Sequence, residues 1–194
     1  MHDVPYFDRF APLYDLVLPE TDSQFLEAGL GYADREVECV LDLGGGTGRA
    51  ARVLPRSSLV LDASQPMLRR ATDHELPTVR GDGRELPLAS ESVDAVVSVD
   101  AMHHFPAVED VLQEAARVVG PGGVIVVRDF DPTSVRGRFL VLGERIVGFQ
   151  SEFFTPDQMV GIFETAGLYP IVLESGFVYT VVGVKRAGRS GAES

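Results

Sequence analysis

The sequence has one cysteine, Cys39, so it can form no internal disulfide, and that thiol alone cannot build a thiolate zinc site. Such a chain reads as intracellular, with no thiol chemistry. Lysine is equally scarce: Lys185 is the only one, and nearly all the positive charge is arginine. Seventeen basic residues against 29 acidic ones give a net charge of −12, which repels phosphate backbones and anionic headgroups over the surface as a whole. Nucleic acid is therefore a poor partner. No apolar run approaches the roughly 20 residues needed to span a bilayer, and residues 1–10 lack the basic start and apolar core of a secretory signal. The expectation is a cytoplasmic protein with no membrane span. At 194 residues it should fold as one domain, and no internal repeat is visible.

What is present is an alternation of short apolar runs with stretches of helical spacing, the pattern of a parallel sheet covered on both faces. Strands are expected at Val37–Leu43, Leu59–Leu61, Thr78–Arg80, Val93–Val99 and Val124–Val127. A short helix should follow Ser64, and a longer one places Val108, Val111, Leu112, Ala115 and Val119 on one face before Pro121-Gly122-Gly123 stops it. Thr155-Pro156-Asp157-Gln158 has the form of a capping box that opens a helix. The last runs, Tyr169–Leu173 and Phe177–Val184, are joined only by Glu174-Ser175-Gly176, too short for a crossover helix, so they should form an antiparallel hairpin. Residues 131–154 mix arginines and large apolar residues without a clear period.

Gly44, Gly46 and Gly48 occupy alternate positions where the first strand turns into a helix, and they let a ligand approach the backbone. Asp42 stands just before that turn, Asp62 closes the second strand, and Asp82 follows the third between Gly81 and Gly83. Small molecules bind at the carboxyl ends of strands in open parallel sheets. Three acids there describe a pocket for a nucleoside that carries positive charge and hydrogen-bond donors. A triphosphate cradle would want a P-loop lysine, and none is present.

These residues resemble the class I S-adenosylmethionine-dependent methyltransferases, in particular their small-molecule branch with the ubiquinone and menaquinone methyltransferases. The likeness rests on residues 40–48, on Asp62-Ala63-Ser64-Gln65-Pro66-Met67-Leu68, on Gly81-Asp82-Gly83 before Leu86-Pro87-Leu88, on residues 93–98, and on residues 117–123. It implies a Rossmann-like, doubly wound seven-stranded α/β sheet, mostly parallel with an antiparallel last strand, and helices on both faces. It also implies S-adenosyl-L-methionine as cofactor, with Gly44, Gly46 and Gly48 against its methionine and ribose parts and Asp42 near its aminoacyl end. Asp62 would hold the ribose hydroxyls, while Ala63 and Met67 pack on adenine. Asp82 and Gly83 would meet the adenine edge, Val99 would approach the methionine part, and Tyr14 would close over the cofactor.

His103 and His104 follow the fourth strand on the same edge and are the candidates for catalytic proton transfer. Adjacent histidines rarely share one ion and no third ligand is evident, so no metal site is expected. Asp100, Asp129 and Asp131 lie near strand ends on the same edge and could orient a substrate or act as a base, or be solvated loop acids. Arg136, Arg138 and Arg145 could hold an anionic group of the substrate or serve solubility, and residues 139–154 could line an apolar pocket or form core beneath a lid. Residues 1–186 form one domain: a helical lid over 1–36, a cofactor-binding core over 37–130, a substrate cover over 131–154, and a helix with the hairpin over 155–186. Residues 187–194 make a flexible tail. The function expected is methylation of a small molecule on oxygen, carbon or nitrogen by a monomer or homodimer. Two alternatives are a cofactor-binding protein without transfer activity and, because Gly46-Thr47-Gly48-Arg49-Ala50-Ala51 also fits G-x-G-x-x-A, an NAD-dependent oxidoreductase.

Overall fold

The computed structural model describes residues 4–17 and 21–186. The expected flexible tail over 187–194 lies outside the described residues. Two helices, α1 (Val4–Val17) and α2 (Ser23–Leu30), precede the sheet. The alternating part comprises β1 (Cys39–Leu43), α3 (Arg49–Val53), β2 (Ser57–Asp62), α4 (Gln65–Asp73), β3 (Thr78–Arg80), β4 (Val93–Val99), α5 (Val108–Val118) and β5 (Val119–Phe130). It is followed by α6 (Val135–Val147), α7 (Pro156–Thr165), β6 (Tyr169–Glu174) and β7 (Val178–Val184).

The seven strands run in the order β3-β2-β1-β4-β5-β7-β6. β1 to β5 pair in parallel, while β7 runs antiparallel to both β5 and β6. This is the doubly wound mixed sheet that the alternation and the short final link required. Its central strands are buried on both faces, so Val96, Ile125 and Val127 meet α5 and α7 on one side while Val97, Val124 and Val126 meet Leu26 and Leu30 of α2 on the other.

Local chemistry moves several boundaries. β1 starts at Cys39, and the Glu38 and Cys39 amides donate to the Asp94 carboxylate at 3.0 and 2.9 Å. β5 starts before Pro121-Gly122-Gly123, with a register break opposite Val93 and Ala95. Lys185 holds the end of α5 by donating its Nζ to the carbonyls of Ala116 and Val119 at 2.9 and 2.7 Å. The capping box at Thr155 and Gln158 forms in both directions.

Residues 131–154, unassignable from their pattern, contain the 13-residue helix α6. Ser134 caps it by accepting from the Gly137 amide at 3.0 Å. The inward side of α6 is carried by the buried Gly137, where a Cβ would lie 1.9 Å from the Asp131 carbonyl oxygen, and by Glu144. Among the described residues no helix is long and apolar enough to cross a membrane.

Candidate functional site

Parallel strands bring their carboxyl ends to one edge, and the winding reverses between β1 and β4, which opens a crevice beside β1. The glycine turn sits there. Gly44, Gly46 and Gly48 all have left-handed φ, at +69°, +56° and +80°, a region that side chains disfavour. A Cβ at Gly46 would lie 2.9 Å from the Met67 methyl, so the floor of the crevice is bare backbone by necessity. The Gly44 amide donates to the Leu61 carbonyl at 2.8 Å and the Gly46 amide to Asp62 Oδ2 at 3.0 Å, which ties the turn to β2.

Asp42 is buried and accepts from the Ala51 amide at 3.1 Å through Oδ2, while its Oδ1 has no partner among the described residues. Burial pushes its carboxyl up to about 7; the nearby Asp62 adds to this, and the Ala51 amide opposes it. Asp62 accepts from the Ser64 and Gly46 amides at 2.8 and 3.0 Å. Burial lifts it to about 6 against those amides. The Ala51 amide and the nearby Arg49 charge favour the ionised form of Asp42, while at Asp62 only backbone amides do so.

Three neighbouring hollows follow this edge. One is lined by Asp42, Gly44, Arg49, Val99 and Thr21. The next is lined by Gly44, Gly46, Asp62, Met67 and His104, with Val4 and Phe7 of α1 above it. The third, open to solvent, is lined by Ala63, Arg80, Gly81 and Asp82. The sequence-derived residues Asp42, Gly44, Gly46, Asp62, Ala63, Met67, Asp82 and Val99 therefore line hollows along one edge of the sheet.

Gly48 instead caps α3, and a Cβ there would strike Leu76. Gly83 is buried against Phe105, where a Cβ would lie 2.7 Å from the ring. The exposed Asp82 carboxylate is bound by Arg84 at 2.6 Å, and that hydrogen bond holds it down at about 2. Tyr14 falls in α1, but its side chain lies outside the described residues.

The two histidines of the short turn after β4 part company. His104 lines the crevice, with Ser151 Oγ 3.1 Å from its Nδ1 and the Phe7 ring edge-on at 4.8 Å. His103 is buried away from it, with Nδ1 2.6 Å from Asp129, Nε2 3.6 Å from Glu144, and Phe153 stacked at 4.4 Å. Burial disfavours its charge, yet the carboxylates of Asp129 and Glu144 more than offset this and push His103 up to about 10. The same imidazolium holds Glu144 below the usual range against the pull of burial.

Asp129 is accordingly no solvated loop acid. It is buried, and it also accepts from the His103 amide at 3.1 Å. Asp131 instead shapes the turn before α6 by accepting from the Thr133 amide and hydroxyl. His103, His104 and Glu144 do bring three donor atoms within 4.8 Å of one another, a third group that the spacing of the histidines did not reveal.

Sequence reading missed Arg49 and Thr21 and undervalued Asp100. Arg49 Nη2 lies 3.1 Å from Asp100 and 3.5 Å from Thr21 Oγ1, beside Asp42 in the first hollow. Asp100 has φ +52°, a strained value for a non-glycine residue, and lines the second hollow. The available signal was position: Arg49 directly follows the last glycine of the turn, and Asp100 directly follows β4. Arg136, Arg138 and Arg145 lie on exposed parts of α6.

Residues 41–127 match the family described as methyltransferase domain. A malonyl-[acyl-carrier protein] O-methyltransferase of Xylella fastidiosa is 30% identical over 66% of this chain and 48% of its own. The ubiquinone/menaquinone biosynthesis C-methyltransferase UbiE of Syntrophotalea carbinolica is 33% identical over 67% of this chain and 62% of its own. The chain spans about half the length of the curated relatives it matches. A methyltransferase structure from Thermotoga maritima has the same fold, with a TM-score of 0.77 at 23% identity over 96% of this chain and all of that one.

Proposed function

We propose that this chain, with a methyltransferase-domain match over residues 41–127 and the fold of a methyltransferase structure, is a class I S-adenosylmethionine-dependent methyltransferase that transfers a methyl group to a small-molecule acceptor. The observation that carries this reading is two amide-bonded carboxylates, the buried Asp42 and the half-buried Asp62, beside a side-chain-free turn, with one oxygen of Asp42 left without a partner among the described residues. Those features suit a cationic nucleoside. Asp62 accepts amides through both oxygens, and in this reading its remaining acceptor capacity takes a ribose hydroxyl.

In this reading Asp42 faces the ammonium end of the cofactor and Arg49 its carboxylate, while Val99 walls the methionine part. Ala63 and Met67 flank the adenine. Asp82 and the Gly83 amide meet its edge, and Asp82 keeps its hold on Arg84. When bound, the cofactor supplies an activated methyl group on sulfur. The protein's task is alignment, which can contribute about 7–11 kcal/mol through prepaid entropy, against about 3–5 kcal/mol for a general base.

His104 is the imidazole placed to take a proton from an acceptor at the crevice. His103 works behind it as a fixed support, held between Asp129 and Glu144. The acceptor enters beneath α1 and the segment after α6, where Tyr6, Phe7 and Phe149 form an aromatic roof with centroids 5.1 to 5.6 Å apart. The relatives named for quinone biosynthesis favour an apolar or aromatic acceptor.

The test is incubation with methyl-labelled S-adenosylmethionine and a panel of quinol, phenol, amine and acyl-thioester acceptors, run beside Asp62→Ala. The reading expects label in at least one acceptor with the native protein and at least tenfold less with the variant, the scale of lost hydrogen bonds to a charged group. Label in none of them, with cofactor bound, would reduce the protein to a cofactor-binding one.

A further inference from the structure

The exposed face of α6 is the opposite of what a water-facing helix should show. Val135, Phe139, Leu142 and Ile146 are 73, 72, 55 and 76% exposed, and with Val147 they are five of the eight large apolar side chains that lie exposed among the described residues. Their spacing of four, three and four residues puts the first four in a single stripe along the helix. Arg138 and Arg145 fall on one flank of that stripe and Arg136 on the other, while Gly137 and Glu144 occupy the inward side. The outward half of α6 thus holds three arginines and no acid, in a chain of net charge −12.

We propose that α6 is a membrane-docking helix, laid in the plane of an anionic bilayer surface with the apolar stripe among the acyl chains and the arginines at the headgroups. Charge complementarity selects this occupant. The net charge of −12 repels a bilayer of anionic lipid, whereas the arginines flanking the apolar stripe attract it, which favours contact through α6. A second copy would set the same arginine flanks against each other. α6 departs locally from the overall acidic balance, because three of the 17 basic residues stand on its outward half.

Docking and site are mechanically joined. Glu144 reaches inward from α6 to His103, and Gly148 at the end of α6 packs on Tyr6 of α1 over the crevice. It follows, resting on the methyl-transfer reading, that the acceptor is an apolar molecule drawn from the bilayer.

Co-sedimentation of the full chain with vesicles of phosphatidylcholine, alone or with roughly a third phosphatidylglycerol, tests the docking without cofactor or acceptor. The native protein should pellet with the anionic vesicles, less so at high salt, and stay in solution with the neutral ones. Phe139→Asp with Ile146→Asp should abolish pelleting, and Arg136→Gln, Arg138→Gln and Arg145→Gln together should weaken it about 100-fold, at about fivefold per arginine. All five positions are exposed, so unfolding midpoints should be unchanged. Native protein that stays in solution with both vesicles, or variants that pellet like it, would overturn the proposal. So would a native dimer in light scattering that Phe139→Asp turns into a monomer, since the stripe then belongs to a second copy. Vesicle binding with no affinity for S-adenosylmethionine would leave the docking standing and remove the methyl-transfer reading.

Discussion

Two groups of buried ionisable side chains share the carboxyl edge of the sheet, and they resolve the cost of burial in opposite ways. Around His103 the chain supplies opposite charges of its own, an imidazole between Asp129 and Glu144, so charge is favoured there. Beneath the glycine turn, Asp42 and Asp62 are bonded only to backbone amides, and burial pushes both toward the neutral form. A set that is complete serves the fold. The glycine-turn pair, with Arg49 as its one nearby cation, is the set that the proposed reading assigns to a cationic ligand.

The largest expected effect is on the complete set. Asp129→Ala leaves His103 buried against one remaining carboxylate and should lower the unfolding free energy in urea by about 3–5 kcal/mol. Asp62→Ala should do the reverse kind of damage. Cofactor affinity should drop by about 1–3 kcal/mol in calorimetry, while the urea midpoint holds or rises. Equal loss of stability in both variants would erase the contrast.

Dependence on pH sharpens it further. Asp42 and Asp62 ionise near 3.8 when unfolded but near 7 and 6 when folded, so their preference for the neutral form makes the ligand-free protein lose stability as pH rises through that window. His103 has the same sign at higher pH: its raised value contributes fully below 6.5 and is lost as pH climbs through about 10. Thermal unfolding from pH 4.5 to 10 should therefore show two declines, and saturating S-adenosylmethionine should flatten only the first. The smallest effect belongs to the cover: Ser134→Ala should cost about 1 kcal/mol through the lost cap, seen as faster hydrogen exchange in α6.

The crevice was legible from sequence because its chemistry is local. Glycines and strand-closing acids lie within a few residues of the turns they serve, and parallel topology carries Asp42, Asp62 and Asp82 to one edge. The hairpin was legible because Glu174-Ser175-Gly176 is too short for anything else. The pairing of His103 with Asp129 was hidden by a separation of 26 positions, and only the adjacency of β4 and β5 brings them together. Arg84 was hidden for another reason: its grip on Asp82 is a side-chain choice between neighbours, not a matter of pattern. α6 was illegible because its apolar stripe faces outward, so the usual equation of apolar with core misleads.

Calorimetric titration of S-adenosylmethionine into the native protein at pH 8 and again at pH 5.5 is the most direct check on the central claim. The account predicts one site per chain with several-fold tighter binding at pH 8, where Asp42 and Asp62 carry the charge that meets the ligand. No binding at either pH, or equal affinity at both, would contradict it.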